Sequence, residues 1–288
     1  VNLLSTKGDV IFTARTDNTG KAELWNGIFG NDDEVASIEV VHDRERRLIS
    51  NPNQFSNGIN FMVFDEPCTV PQTMDVCFVV DATGSMADEI AYLQAELQDV
   101  ILRTENTLSN VNIRLGSVFY RDIGDLYVTR KHDFDENITQ GINFLKNQSA
   151  AGGGDYPEAV IPALDVALNE LEWSSEAVSR VIFLILDAPP HHDLKRIKQL
   201  HNLITKAAKI GVRIVPIASS GIDKSTEYLL RSMALATNGT YTFLTDHSGV
   251  GNPHLEPSTD SYKVEFARNA EKENFTTMDG FLDSLNLT

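Results

Sequence analysis

Cysteine is nearly missing from this chain: Cys68 and Cys77 are the two thiols in 288 residues. At most one bridge can form. A short-range disulfide and a buried free thiol at Cys77 both fit, and the count does not fix the redox compartment. Long apolar runs are absent as well. None approaches the roughly 18–20 residues that a membrane-spanning helix needs, so no membrane insertion is expected in this segment. Basic residues are scarce, 24 Lys plus Arg against 41 Asp plus Glu, a net charge of −17. That argues against nucleic acid and against anionic lipid as partners, since either would meet a like-charged surface. Neither a charged n-region nor an apolar h-region follows Val1, so the reading expects a mature form or an excised segment.

What is present is a hydrophobic fraction of 42% and a charged fraction of 23%, the balance of a soluble globular chain. Two patterns divide it. Residues 1–67 alternate apolar and polar positions between turn signals. "VIFTAR", "KAELW", "VASIEVVHD" and "INFMVFD" read as strands, with "TDNTG" as a hairpin turn in which Asp17, Asn18 and Gly20 can take positive φ. That predicts a small all-β, sandwich-like domain, truncated at its start in one reading. "DEPCTVPQT", with two prolines, places a linker at 68–74.

From there the period changes. "VCFVV", "IRLGSVFY", "VIFLIL" and "VRIVPIA" are β-branched runs too short for helices. Between them lie helical stripes: Ile90, Leu93, Leu97, Val100 and Ile101; Ala159, Leu164, Ala167, Leu168 and Leu171; Leu194, Ile197, Leu200 and Ile204. Alternating strands and helices predict an α/β domain over 75–250, with a mainly parallel sheet covered on both faces. Residues 251–288 are read as an extension packing on either domain, with a helix near 278–287.

Ligands of such sheets sit at the carboxyl ends of the strands. Three runs end there in acids. "CFVVDATGSM" delivers Asp81, Thr83 and Ser85; "SAAGGGDYPEAV" turns on three glycines before Asp155, with Pro157 suited to a first helical turn; "VIFLILDAPPHHD" ends on Asp187. Carboxylates converging in a partly buried site repel one another unless a cation joins them. An oxygen-only donor set points to a hard ion, Mg²⁺ first, with Mn²⁺ or Ca²⁺ as alternatives. Enzyme readings of these loops lack their parts. A dehalogenase-type phosphatase needs an acid where Thr83 stands, a phosphate-binding loop needs a lysine that neither loop has, and Ser85 has no clear base beyond His191 or His192.

"VVDATGSMADEI", "GGGDYPEA" and "LILDAPPH", together with "VFYRDIGD" and "LLRSMALATNGTYTFLTD", resemble the von Willebrand factor type A domains over residues 74–250. Within that family they resemble the bacterial and hemicentin-like branch. The resemblance implies a Rossmann-like domain and a metal-ion-dependent adhesion site. Asp81, Thr83 and Ser85 would be its ligands from the first loop, and Asp187 would act from the third through water. Asp155 stands where integrin-type members carry threonine. An added acid tightens metal binding and weakens attraction to a partner's carboxylate. The expectation is therefore a non-enzymatic, metal-dependent module that binds a protein ligand or another extracellular or cell-surface component. A structural ion, with the partner docking elsewhere, is the alternative.

Lesser signals complete the reading. His247, His254 and Glu256 have a spacing that could hold a second ion, against plain solvated side chains. Asp122 is read as supporting the metal loops, and Arg121–Asp125 as a surface pair. Tyr241 and Phe243 read as a sheet-edge pair. "ARTDNTGKAELW" resembles carboxypeptidase-regulatory or transthyretin-like modules. Sequons stand at Asn137, Asn147, Asn238, Asn274 and Asn286.

Overall fold

The computed structural model describes residues 1–30, 32–65, 71–107, 110–219 and 221–244. Cys68, the cluster of His247, His254 and Glu256, and the extension 251–288 with its helix lie outside the described residues.

The N-terminal part is an all-β antiparallel sheet of four strands: β1 (Asn2–Ser5), β2 (Val10–Thr13), β3 (Val35–His42) and β4 (Glu45–Ser50), ordered β2-β1-β3-β4. The expected turn after β2 forms. Asp17 Oδ1 accepts the Thr19 and Lys21 amides at 2.8 and 3.0 Å, and Gly20 takes φ 80°. No strand follows it; the other Asp17 oxygen takes Arg213 and Asn238, both at 3.1 Å. "KAELW" and "INFMVFD" are likewise not strands, and Ile59 and Phe61 stand largely in solvent. Leu3, Phe12, Ala14 and Ile38 point to one side and pack on Ala208 of the following domain. Among the described residues the layer facing this sheet is thus a helix, not a second sheet.

The larger part is a six-stranded sheet, β10-β9-β8-β5-β6-β7, comprising β5 (Thr73–Asp81), β6 (Asn112–Tyr120), β7 (Thr129–Asp135), β8 (Ala177–Leu186), β9 (Val212–Ala218) and β10 (Thr242–Phe243). All pairs are parallel except β6 with the edge strand β7. The helices are α1 (Ala87–Thr107), α2 (Ile138–Lys146), α3 (Val160–Asn169), α4 (Leu194–Ile210) and α5 (Lys224–Ala236). Strand residues alternate between two cores, as the pleat requires. Cys77 and Val79 pack with α3, α4 and α5, while Val76, Phe78 and Val80 pack with α1 and α2. Cys77 is a free thiol with no exposure, and burial pushes its pKa well up.

The helical stripes are buried or partly buried except at Val100 in the first and at the start of the third. Ile90, Leu97 and Ile101 are buried while Val100 is half exposed; Leu200 and Ile204 are buried while Leu194 is 87% exposed. Leu194 opens the first turn of α4, beyond the reach of the sheet. Asp193 caps that turn, accepting the Lys195 and Arg196 amides at 3.0 and 3.1 Å. Gly211 ends the helix in the left-handed region at φ 74°. Among the described residues no helix is long and apolar enough to cross a membrane.

Candidate metal centre

Four adjacent strands, β9, β8, β5 and β6, end side by side, and each delivers a polar side chain at or just past its last residue. These are Ser219, Asp187, Asp81 and Tyr120. In all four, a buried oxygen lacks a partner at ordinary hydrogen-bond distance, namely Ser219 Oγ, Asp187 Oδ1, Asp81 Oδ2 and the Tyr120 hydroxyl, although the Tyr120 hydroxyl faces Asp81 and the Ser219 hydroxyl faces Glu89. A fifth such atom, Glu158 Oε2, comes from the loop before α3. Buried polar atoms are nearly always paired, and an orphan costs roughly 1–3 kcal/mol. Five of the eleven such atoms among the described residues gather at this one sheet edge, which favours a counter-charge there.

The first loop holds its oxygens together by local bonds. Asp81 Oδ1 accepts the Thr83 amide at 2.9 Å and the Thr83 hydroxyl at 2.7 Å, and Ser85 Oγ lies 3.4 Å from Thr83 Oγ1. Asp81 and Thr83 are buried; Ser85 is exposed. The second loop is tied to the first through Gly84 N to Gly152 O and Ala151 N to Ala82 O, at 3.1 and 3.0 Å. Gly152 sits at φ 82° where a Cβ would lie 2.4 Å from Asp125, so a side chain there is ruled out twice. Asp125 Oδ2 in turn accepts the Gly153 and Asp122 amides at 2.9 and 3.1 Å. The second loop reaches the third by Glu158 N to Pro189 O at 2.9 Å.

Asp81 and Asp187 stand at the ends of the neighbouring strands β5 and β8, close enough for the Asp187 charge to raise the Asp81 pKa. Asp155 is exposed, and the side chain it meets is Asp122. The acid of the second loop that is buried among the others is Glu158, 4% exposed, facing both Asp81 and Asp187. The sequence reading passed over it. Glu89, in the first turn of α1, also approaches Asp187 and Ser219. The only available signal was the second acid in "GGGDYPEA", and nothing in spacing alone says which of two acids turns inward.

Arg121 is buried, not at the surface. It donates to Ala82 O and Ser149 O at 3.2 and 2.8 Å and stacks on Tyr127. Asp122 does support the loops, through His191 Nε2 at 2.7 Å. Burial raises the Asp122 pKa, but the His191 contact and neighbouring hydrogen bonds outweigh it and hold the carboxyl below its usual range.

The electrostatics of the edge run the other way. Burial, with Asp187 nearby, lifts Asp81 to about 7 against the bonds from Thr83. Burial and the charges of Asp81, Asp122, Asp125 and Asp187 lift Glu158 to about 8. Two like charges about 6 Å apart repel by roughly 3 kcal/mol at an effective dielectric near 20. These acids therefore resist ionising together without a counter-charge, and the nearby guanidinium of Arg121 is turned to backbone carbonyls. Among the described residues no three His, Cys, Asp or Glu side chains converge tightly enough to hold an ion by themselves. Any ion here would need the Thr83 and Ser85 hydroxyls and water to complete its shell. Such a donor set, oxygen throughout, suits a hard divalent cation.

Comparison with known proteins agrees with this architecture. A family described as von Willebrand factor A domain matches residues 75–252. An ariadne-like RING finger protein of Acanthamoeba polyphaga mimivirus is 34% identical over 121 residues, 41% of this chain and 11% of that protein. An alpha-protein kinase of Dictyostelium discoideum is 28% identical over 122 residues, 42% of this chain and 19% of the kinase. The human collagen alpha-6(VI) chain is 23% identical over 234 residues, 78% of this chain and 10% of the collagen. The chain thus spans between a tenth and a fifth of the length of these relatives.

Proposed function

Because this chain belongs to the von Willebrand factor A domain family, whose members generally serve protein–protein contact rather than catalysis, we propose that it is a non-enzymatic binding module with a divalent cation at the strand edge. The site is read as a metal-ion-dependent adhesion site of the bacterial and hemicentin-like kind. Asp81, Thr83 and Ser85 contribute from the first loop, Asp187 from the third and Asp155 at the rim of the second. Mg²⁺ is the ion we favour, ahead of Mn²⁺ and Ca²⁺. The observation that carries this reading is the gathering of buried side-chain oxygens, with few protein partners, on four neighbouring strand ends. The ion would supply charge and open coordination positions. The chain's part is to hold the hydroxyls and carboxylates in place through the backbone bonds between loops.

A protein partner outside the cell or at a cell surface is the setting we infer, on the likeness to a collagen chain. Recovery of the chain from the medium or cell surface of its source checks that setting, and an interior location overturns it. A second reading, a structural ion with the partner docking elsewhere, is favoured by the depth of Asp81, which has no exposure.

The test is a set of melting curves of wild type and Asp81→Ala in EDTA, Mg²⁺, Mn²⁺ and Ca²⁺. An ion that binds only the folded state stabilises it by roughly 2.7 kcal/mol at a hundred times its dissociation constant. A rise in wild type that is missing in the variant is the expected result and ranks the ions. Equal curves in all conditions, together with no metal by elemental analysis, would falsify the reading.

A further inference from the structure

We propose that Glu158, not Asp155, is the second-loop acid that faces the bound cation, an inference that rests on the metal reading above. Glu158 lies just before α3, yet it is drawn out of the helical path by a parallel bridge to Pro190 and by its amide bond to Pro189 O. That attachment fixes its backbone between the second and third loops, and its side chain turns inward with 4% exposure. A Cβ on Gly153 would lie 3.0 Å from Glu158 Oε1 and 3.2 Å from Thr83 Cβ, so the glycine marks where the carboxylate and the first loop meet. Glycine at φ 74° leaves that gap open, and a side chain would press on both. The other oxygen, Oε2, is buried without a partner, like Asp187 Oδ1.

Asp155 has none of these features. It is exposed, and it faces Asp122, whose Oδ1 is 2.7 Å from His191 Nε2. The Asp155 carboxylate therefore belongs to a rim outside the orphaned set, although it occupies the position that matches the second-loop threonine of integrin-type members. Asp81, Glu158 and Asp187 do not converge tightly enough to hold a divalent ion by themselves, so they would meet it partly through water and the first-loop hydroxyls. With all three ionised, the net charge at the centre is 2 − 3 = −1. A partner's carboxylate is then repelled, and a neutral oxygen or a basic side chain becomes the better contact.

Isothermal titration of the whole chain with Mn²⁺ and Mg²⁺ alone, on wild type, Glu158→Gln, Asp155→Asn and Asp81→Asn, tests the assignment. Glu158→Gln is expected to weaken metal binding tenfold or more, and Asp155→Asn to change it less than threefold. The reverse order overturns the proposal in favour of Asp155. No binding by wild type overturns the metal reading and this proposal with it, and is distinguished by Asp81→Asn behaving identically. Melting in EDTA guards against a folding artefact. Glu158→Gln is expected to melt at or above wild type without metal, because it removes a buried acid, and to lose at least half of the metal-induced rise. A variant that melts lower in EDTA yet keeps the full rise shows a structural role and overturns the assignment.

Discussion

At the residue scale the strand edge stores a penalty that metal-free protein must carry. Asp81 and Glu158 are raised to about 7 and about 8 from ordinary values of 3.8 and 4.5. A raised pKa means that the folded protein keeps protons which the unfolded chain releases. Their contribution to stability is therefore complete below about pH 4 and lost as pH rises through about 8. In EDTA, the melting temperature should fall by about 5 °C or more between pH 5 and pH 8, measured by circular dichroism. The double variant Asp81→Asn, Glu158→Gln should flatten that fall, and saturating divalent ion should reverse its slope. A flat wild-type profile in EDTA contradicts the buried-acid account. Asp81, Thr83 and Ser85 were legible because one short loop carries all three, so spacing and proximity coincide. Glu158 was not, since its inward turn depends on a bond to Pro189, thirty-odd residues away in sequence.

At the element scale the sequence was most informative where burial is two-sided. β5, β6, β8 and β9 announce themselves because both faces meet helices, so each carries a run dense in apolar residues, such as "VCFVV" and "VIFLIL". β7, with "TRKHDFD", and β4, with "ERRLIS", went unread: each is an edge strand, polar enough to pass for a loop, and pairing alone makes them strands. "INFMVFD" failed in the opposite sense, since an alternating pattern is not a strand without a neighbour. Close approaches were also invisible. Gly239 follows α5, its amide donating to Ala234 O at 2.8 Å, and a Cβ there would fall 2.0 Å from Ile214 O of β9. Backbone cannot yield as a side chain can. Gly239→Ala should cost about 2 kcal/mol or more, a melting shift of roughly 4–8 °C for a chain of this size. Gly154→Ala has open space and no left-handed backbone to oppose it, and should stay within about 0.5 kcal/mol in EDTA. Equal losses from the two substitutions would mean that the α5–β9 contact is looser than described.

At the scale of the whole molecule, the question is whether the N-terminal sheet is an appendage or part of one folding unit. Its fully buried apolar residues are Leu3, Phe12, Ala14 and Ile38, with partly buried ones such as Val35, Val40 and Ile49 around them, a small core for four strands in water. What completes it is α4. Ala208 sits in the same cluster, Arg15 N donates to Ala208 O at 3.0 Å, and Phe29 stacks on His201 with centroids 4.3 Å apart. Polar contacts extend the seam. Arg15 reaches Ser175 O at 3.0 Å, and Asp17 takes Arg213 at 3.1 Å. A sheet so dependent on a helix should unfold with it, and calorimetry of the full chain is expected to show one cooperative transition. Ala208→Glu places a carboxylate in that apolar seam, where an unpaired buried charge is far costlier than the lost methyl. The N-terminal sheet should then melt first, giving two transitions. The metal-induced rise should persist in the second, because Asp81 and its neighbours lie at the carboxyl ends of the strands while this seam runs along α4. If Ala208→Glu instead abolishes the metal response, the seam and the strand edge are coupled through α4, and the N-terminal sheet becomes a candidate lever on the binding face.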